Sequence, residues 1–231
     1  MDLTMKPRIL YMGDSHGDTW VYIKRENLLS EFDLEVCRVS AATAIGLLSE
    51  DSASRCNKKF RRYLAWCDRD LEPFDVIILG LGEVDCNCAF WLRYYDKNIP
   101  IDDQIEKAVD NMMRFVKEYM PIGLRILFAG PILPASGHRR KTKRNHTVKE
   151  DRKKRQEVTL KYNNLLKETA EKNNHLYMDI NDKILDPETG FVQEKLCWNR
   201  RNYHLMFSAA APLWIDRFRE VYFGKIAKEG D

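Results

Sequence analysis

Residues 9–16 read Ile-Leu-Tyr-Met-Gly-Asp-Ser-His, an apolar run broken by a glycine and then by an acid, a hydroxyl and an imidazole. A buried strand ending there delivers Ser15 to one edge of a sheet, and Gly13 lets the chain turn tightly off it. Asp14 can accept backbone N–H groups in that turn. Ser15 then stands at the start of the next helix, whose first amides favour negative charge. A serine hydroxyl is a weak nucleophile until a base takes its proton. Near the other end of the chain, Asn202-Tyr203-His204-Leu205 supplies one. Together Ser15 and His204 spell acyl transfer, with the imidazole accepting the hydroxyl proton and returning it to a leaving alcohol. Position 202 holds an amide where such a histidine usually has a carboxylate. An amide oxygen can fix the tautomer, but it does not stabilise the imidazolium as a carboxylate does. The expectation is a Ser15–His204 dyad, oriented by Asn202, with a reduced rate.

Other elements must bring these two side chains together. Apolar, β-branched runs at Arg8–Met12, Leu34–Val39, Asp75–Leu79, Leu124–Ala129 and His175–Ile180 predict five strands. Between them, Ile101, Ile105, Val109, Met112, Val116 and Met120 recur at helical spacing after Pro100, with Asp102 and Asp103 in the first turn. A helix is predicted from Thr147, whose hydroxyl and Glu150 form a Thr-x-x-Glu capping box; its apolar stripe runs through Val158, Tyr162, Leu165, Leu166 and Thr169. A last helix follows Ser208 and carries Leu213, Trp214, Phe218 and Val221. Strand alternating with helix predicts an α/β fold, a three-layer α/β/α sandwich around a flavodoxin-like parallel sheet of about five strands. Ligands then bind beyond the carboxyl ends of the strands. No repeat and no linker interrupts residues 1–231, so one domain is expected, with a basic loop at about 135–150.

Composition narrows the classes. With 231 residues, 44% hydrophobic and 11% aromatic, the chain can bury a core. No stretch approaches the ~20 apolar residues that span a bilayer, and residues 1–7 lack the apolar segment of a secretory signal, so a cytoplasmic protein without membrane contact is expected. The six cysteines, at 37, 56, 67, 86, 88 and 197, show no framework spacing and read as reduced thiols. Cys86-Asn87-Cys88 has no second pair nearby, so neither a metal nor any cofactor is expected. The net charge of +3 is concentrated in Arg139, Arg140, Lys141, Lys143, Arg144, Arg152, Lys153, Lys154 and Arg155, read as a solvated loop and helix face. No aromatic residue lies between Arg139 and Arg155, so a nucleic-acid stacking platform is not expected there.

Taken together, these blocks resemble the SGNH/GDSL hydrolase superfamily over nearly the whole chain. Gly13-Asp14-Ser15 is similar to its first block, which supplies the nucleophile, and Ala44-Ile45-Gly46-Leu47 to its second, whose glycine amide serves the oxyanion hole. Leu81-Gly82-Glu83-Val84-Asp85-Cys86 stands where the third block belongs and is similar to a branch with Gly-Glu-[Ile/Val]-Asp-Cys. Arg155 to Leu166, Leu185-Asp186-Pro187-Glu188-Thr189-Gly190 and His204-Leu205 also resemble that branch. The resemblance implies a serine-dependent ester hydrolase or acyltransferase acting on a small acyl ester, by family habit one carried on a carbohydrate. It implies Ser15 as nucleophile and His204 as base, with the Ser15 and Gly46 amides in the oxyanion hole.

Two departures stand out. Val84 occupies the place of the family's asparagine and cannot donate, which leaves Asn87 as a candidate third donor. Arg201 stands where the family has an aspartate, and Asn202 where the nearer branch has one. Asp14, His16, Glu83 and Asp85 are expected close to substrate, the acids binding backbone amides or substrate hydroxyls. Tyr94-Tyr95 beside Trp91 is a candidate sugar-stacking face; Trp66, Trp91 and Trp214 otherwise read as core. Two other classes compete. Gly13-Asp14-Ser15-His16-Gly17 also fits the opening of calcineurin-like metallophosphoesterases, with Asp14 and His16 as ligands, but the Asn-His and paired-histidine motifs of a two-metal site are missing. A non-catalytic binding module on the hydrolase fold is the second alternative.

Overall fold

A computed structural model describes residues 6–70, 73–135, 151–198 and 204–229. The five predicted strands are β1 (Arg8–Gly13), β2 (Asp33–Arg38), β3 (Val76–Gly80), β4 (Arg125–Ala129) and β5 (Leu176–Met178). They form one sheet in the order β2-β1-β3-β4-β5, with every pair parallel. All five residues of β3 are buried, as expected of a strand covered on both faces.

Successive side chains on a strand point to opposite faces, and this alternation sorts the core into two clusters. Leu10, Met12, Ile77, Leu79 and Phe128 face α2 (Cys56–Asp70), α4 (Ile101–Tyr119) and α5 (Arg152–Lys172), meeting Phe60, Met112, Phe115, Tyr162 and Leu166. Ile9, Tyr11, Val76, Ile78 and Leu127 face α1 (Asp18–Arg25) and α7 (Phe207–Glu229), meeting Trp20, Ile23, Trp214 and Phe218. Each such side chain contributes about 1.5–3 kcal/mol by leaving water. The result is the predicted three-layer sandwich. Among the described residues, no helix is long and apolar enough to cross a membrane.

Helix starts reflect local chemistry. α4 begins after Pro100, with Asp102 and Asp103 in its first turn. For α5, the expected Thr147–Glu150 box lies outside the described residues; the described helix is capped by Asp151, whose carboxylate accepts the Lys154 N–H at 2.9 Å. The chain moves from β1 to β2 on one side and then to β3 on the other. That reversal opens a crevice beyond the carboxyl ends of β1 and β3. In register, Gly13 faces Gly80 there.

Candidate active site

Each half of the crevice is built by a turn that begins at a glycine. After Gly13, the Asp14 carboxylate accepts the His16 N–H at 2.8 Å and so caps a single 3-10 turn, Ser15–Gly17, that leads into α1. Ser15 therefore stands on this turn and not on the first turn of α1 itself. After Gly80, the chain passes Gly82 at φ +123° and enters a π-helical segment, Asp85–Ala89, that leads into α3 (Phe90–Lys97). π turns of this kind concentrate at functional sites.

His204 arrives from a third direction. Leu205 bridges antiparallel to Cys197, and the Met206 N–H donates to the Leu196 carbonyl at 2.8 Å. This holds His204 just ahead of α7, with its Nε2 3.1 Å from Ser15 Oγ. That distance allows a hydrogen bond between a base and its nucleophile. Asn202, Arg201 and the basic stretch 136–150 lie outside the described residues.

Asp14, His16, Glu83 and His204 line one cleft that opens to solvent. Its remaining wall is largely apolar, including Tyr11, Trp20, Ile132, Leu205 and Trp214. Tyr11 stacks on Trp20 with ring centroids 5.2 Å apart. Burial first, then the charges of Asp14 and Asp18, raises the Tyr11 phenol well above its ordinary range, so it stays neutral. Of the sequence-predicted tryptophans, Trp91 is buried and donates from Nε1 to the Cys86 carbonyl at 2.7 Å. It is core and cannot form a sugar-stacking face with the exposed Tyr94. Trp66 is 40% exposed, against the expectation that it is core.

Geometry bears on three expectations. Asn87, the candidate third oxyanion donor, is engaged within the fold. The π turn folds it back so that its Nδ2 donates to Glu83 Oε1 at 3.0 Å, while its Oδ1 accepts from Arg155 Nη1 at 3.2 Å. Asp85 does not line the cleft and takes the first of the two roles expected of the acids, binding backbone amides. It is fully buried and accepts the Ala44 and Ile45 N–H groups at 2.7 and 3.0 Å, tying the 44–46 turn to the third block. Arg155 is not on a solvated helix face: it has no exposed surface at all. Its position was legible, because Arg155 lies three and seven residues before Val158 and Tyr162 on the same buried stripe. The second-block glycine, Gly46, gives its N–H to Thr43 Oγ1 at 3.2 Å within its own turn.

Burial pushes the Asp85 carboxyl up to about 7, against the two amides that favour its ionised form. The folded state then holds a proton that the unfolded chain loses near pH 4. Its contribution to stability is therefore complete below pH 4 and disappears as pH rises to about 7. Urea unfolding between pH 5 and 8 is expected to show this decline in the parent chain and a flatter profile in Asp85→Asn. Parallel profiles would contradict it.

No family model and no curated protein matches this sequence. Solved structures do match in fold. A GDSL-like lipase from Bacteroides thetaiotaomicron aligns at TM-score 0.61 and 10% identity, covering 93% of this chain and 87% of that one. The aryl esterase of M. smegmatis aligns at 0.58 and 15%, covering 93% and 99%. An acetyl xylan esterase from Geobacillus stearothermophilus aligns at 0.55 and 15%, covering 95% and 96%. The chain thus has the SGNH/GDSL α/β/α fold.

Proposed function

We propose that the chain belongs to the SGNH/GDSL superfamily and is an ester hydrolase or acyltransferase that uses Ser15 as nucleophile and His204 as general base. The observation that carries this reading is the 3.1 Å approach of His204 Nε2 to Ser15 Oγ across a sequence separation of 189. In this reading Oγ attacks the acyl carbon as its proton passes to Nε2, and the proton then goes to the oxygen of the departing alcohol. Water or a second alcohol repeats the sequence on the acyl-serine and releases the acyl group.

The negative charge formed on the acyl oxygen would be met by the Ser15 N–H, at the head of its 3-10 turn, and by the Gly46 N–H once it exchanges Thr43 Oγ1 for the substrate. Each such donor is typically worth about 3–4 kcal/mol. The apolar wall of Tyr11, Trp20, Ile132 and Trp214 suits a short acyl chain. Three matched folds are those of a lipase, an aryl esterase and an acetyl xylan esterase, which agrees with a small acyl ester, including one on a carbohydrate. Metallophosphoesterase chemistry is disfavoured by position as well as motif. His175 precedes the first residue of β5 and so stands at the amino edge of the sheet, against the Phe128 ring.

One observation favours weak turnover or a binding role. Val84, buried in the place of the family's asparagine, cannot donate, and Asn87 is already held by Glu83 and Arg155, so the third block offers the oxyanion no ready side-chain amide. Fluorophosphonate labelling separates the readings. An active dyad gives one covalent adduct at Ser15 that disappears in Ser15→Ala; a chain that stays unlabelled is a binding module. If Asn202 orients His204, Asn202→Asp is expected to raise kcat on acetyl esters about tenfold or more, since the added carboxylate stabilises the imidazolium. Unchanged kcat would remove Asn202 from the site.

A further inference from the structure

We propose that Asp14, His16 and Glu83 form a binding site for a divalent transition-metal ion such as zinc, set in the cleft wall beside Ser15 and His204. Each of the three offers one ligand atom, and all three atoms lie within 4.8 Å of one another. Two come from the turn after β1 and one from the turn after β3, so the carboxyl edge of the sheet assembles the set. The chain has neither clustered cysteine pairs nor a full two-metal motif, the usual signs of a metal in a sequence; this convergence exists only in the fold.

The distances point to a shared ion. His16 Nδ1 stands 3.5 Å from Asp14 Oδ1 and 3.4 Å from Glu83 Oε2. A charge-assisted hydrogen bond between such groups closes to about 2.7–2.9 Å. By contrast, two bonds of about 2.1 Å opened to a tetrahedral angle put their ligand atoms about 3.4 Å apart. Both nitrogen-to-oxygen edges match that spacing.

Burial and outer support agree. Asp14 is 1% exposed and Glu83 4%, and two buried carboxylates are costly unless positive charge meets them. Each is already oriented by a hydrogen-bond donor. The His16 N–H donates at 2.8 Å to Asp14 Oδ1, the same oxygen that stands 3.5 Å from Nδ1, and one carboxylate oxygen has lone pairs for both a hydrogen bond and an ion. Asn87 Nδ2 holds Glu83 Oε1 at 3.0 Å, itself backed by Arg155, so that Oε2 is the oxygen turned to His16. Hydrogen bonds that fix ligands from behind are the rule at metal sites. One imidazole and two carboxylates suit zinc, manganese, cobalt or ferrous iron. Three protein ligands leave a further coordination position, as in sites that bind water or substrate.

This site does not rest on the hydrolase reading, and its test reads metal and not turnover. Protein stripped with chelator and dialysed is titrated with Zn(II), followed by calorimetry and melting temperature. About one ion per chain is expected, together with a raised melting temperature. His16→Ala and Glu83→Gln should bind at least about 100-fold more weakly, and Asn87→Ala about tenfold, as measured for outer-sphere partners. All six cysteines remain in these variants, so undiminished binding in His16→Ala overturns the site. So does a parent chain that takes up no zinc. Cobalt substitution covers variants that fail to fold: visible d–d bands without a thiolate charge-transfer band support Asp14, His16 and Glu83, whereas a thiolate band moves the metal to cysteine and refutes them.

Discussion

Ser15→Ala is expected to lower kcat/KM on a short acyl ester by about 10³-fold or more, to the level set by binding and backbone donors alone. His204→Ala should fall to the same floor, and the double variant no further, because nucleophile and base act as one unit joined at 3.1 Å. Melting temperatures should barely move, since both side chains are only partly buried at the cleft. A panel from acetyl to octanoyl esters measures this directly. Turnover that persists in Ser15→Ala would remove the serine from the chemistry. Because the zinc titration uses the parent Ser15, failure of the dyad and failure of the Asp14–His16–Glu83 site would be seen separately.

Gly82→Ala is expected to cost most among single changes outside that pair. At φ +123° the backbone is strained for any residue with a Cβ, worth about 1–3 kcal/mol. The new Cβ would also meet the Tyr162 ring, with Cε1 at 2.6 Å and Cζ at 2.7 Å. Tyr162 is fully buried, and overpacking of this kind costs about 1–3 kcal/mol more. Against a total stability of about 5–15 kcal/mol, such a loss leaves a marginal fold, and any relaxation moves Glu83 next door. Gly123→Ala is the control: its φ is +82°, but nothing lies within 4 Å of the added carbon. Denaturant midpoints should therefore fall far more for Gly82→Ala than for Gly123→Ala; equal shifts would mean that Tyr162 simply moves aside.

Much of this molecule was readable from local pattern. Strands as apolar as Val76–Gly80 can only sit between two helical layers, and the 101–120 periodicity matches α4 within one residue. Boundaries near Thr147 were not readable, because Asp151 offers an equally good cap nearer the buried stripe. Arg155 shows the opposite error. Charge alone assigned it to solvent, whereas its helical phase, shared with Val158 and Tyr162, carries it inward to Asn87.

Residue type and order by themselves determined the parallel sandwich and the two side chains that could perform acyl transfer, because strand and helix periodicities are local and a Gly-Asp-Ser turn needs only its neighbours. What the order of residues could not decide is how β1, β3 and the segment before α7 meet at one edge. That meeting turned Asn87 toward Glu83, gave Asp85 to the amides of Ala44 and Ile45, and set His16 between two buried carboxylates. Those outcomes depend on distances between segments remote in sequence, and such distances exist only once the sheet has been ordered and its faces covered.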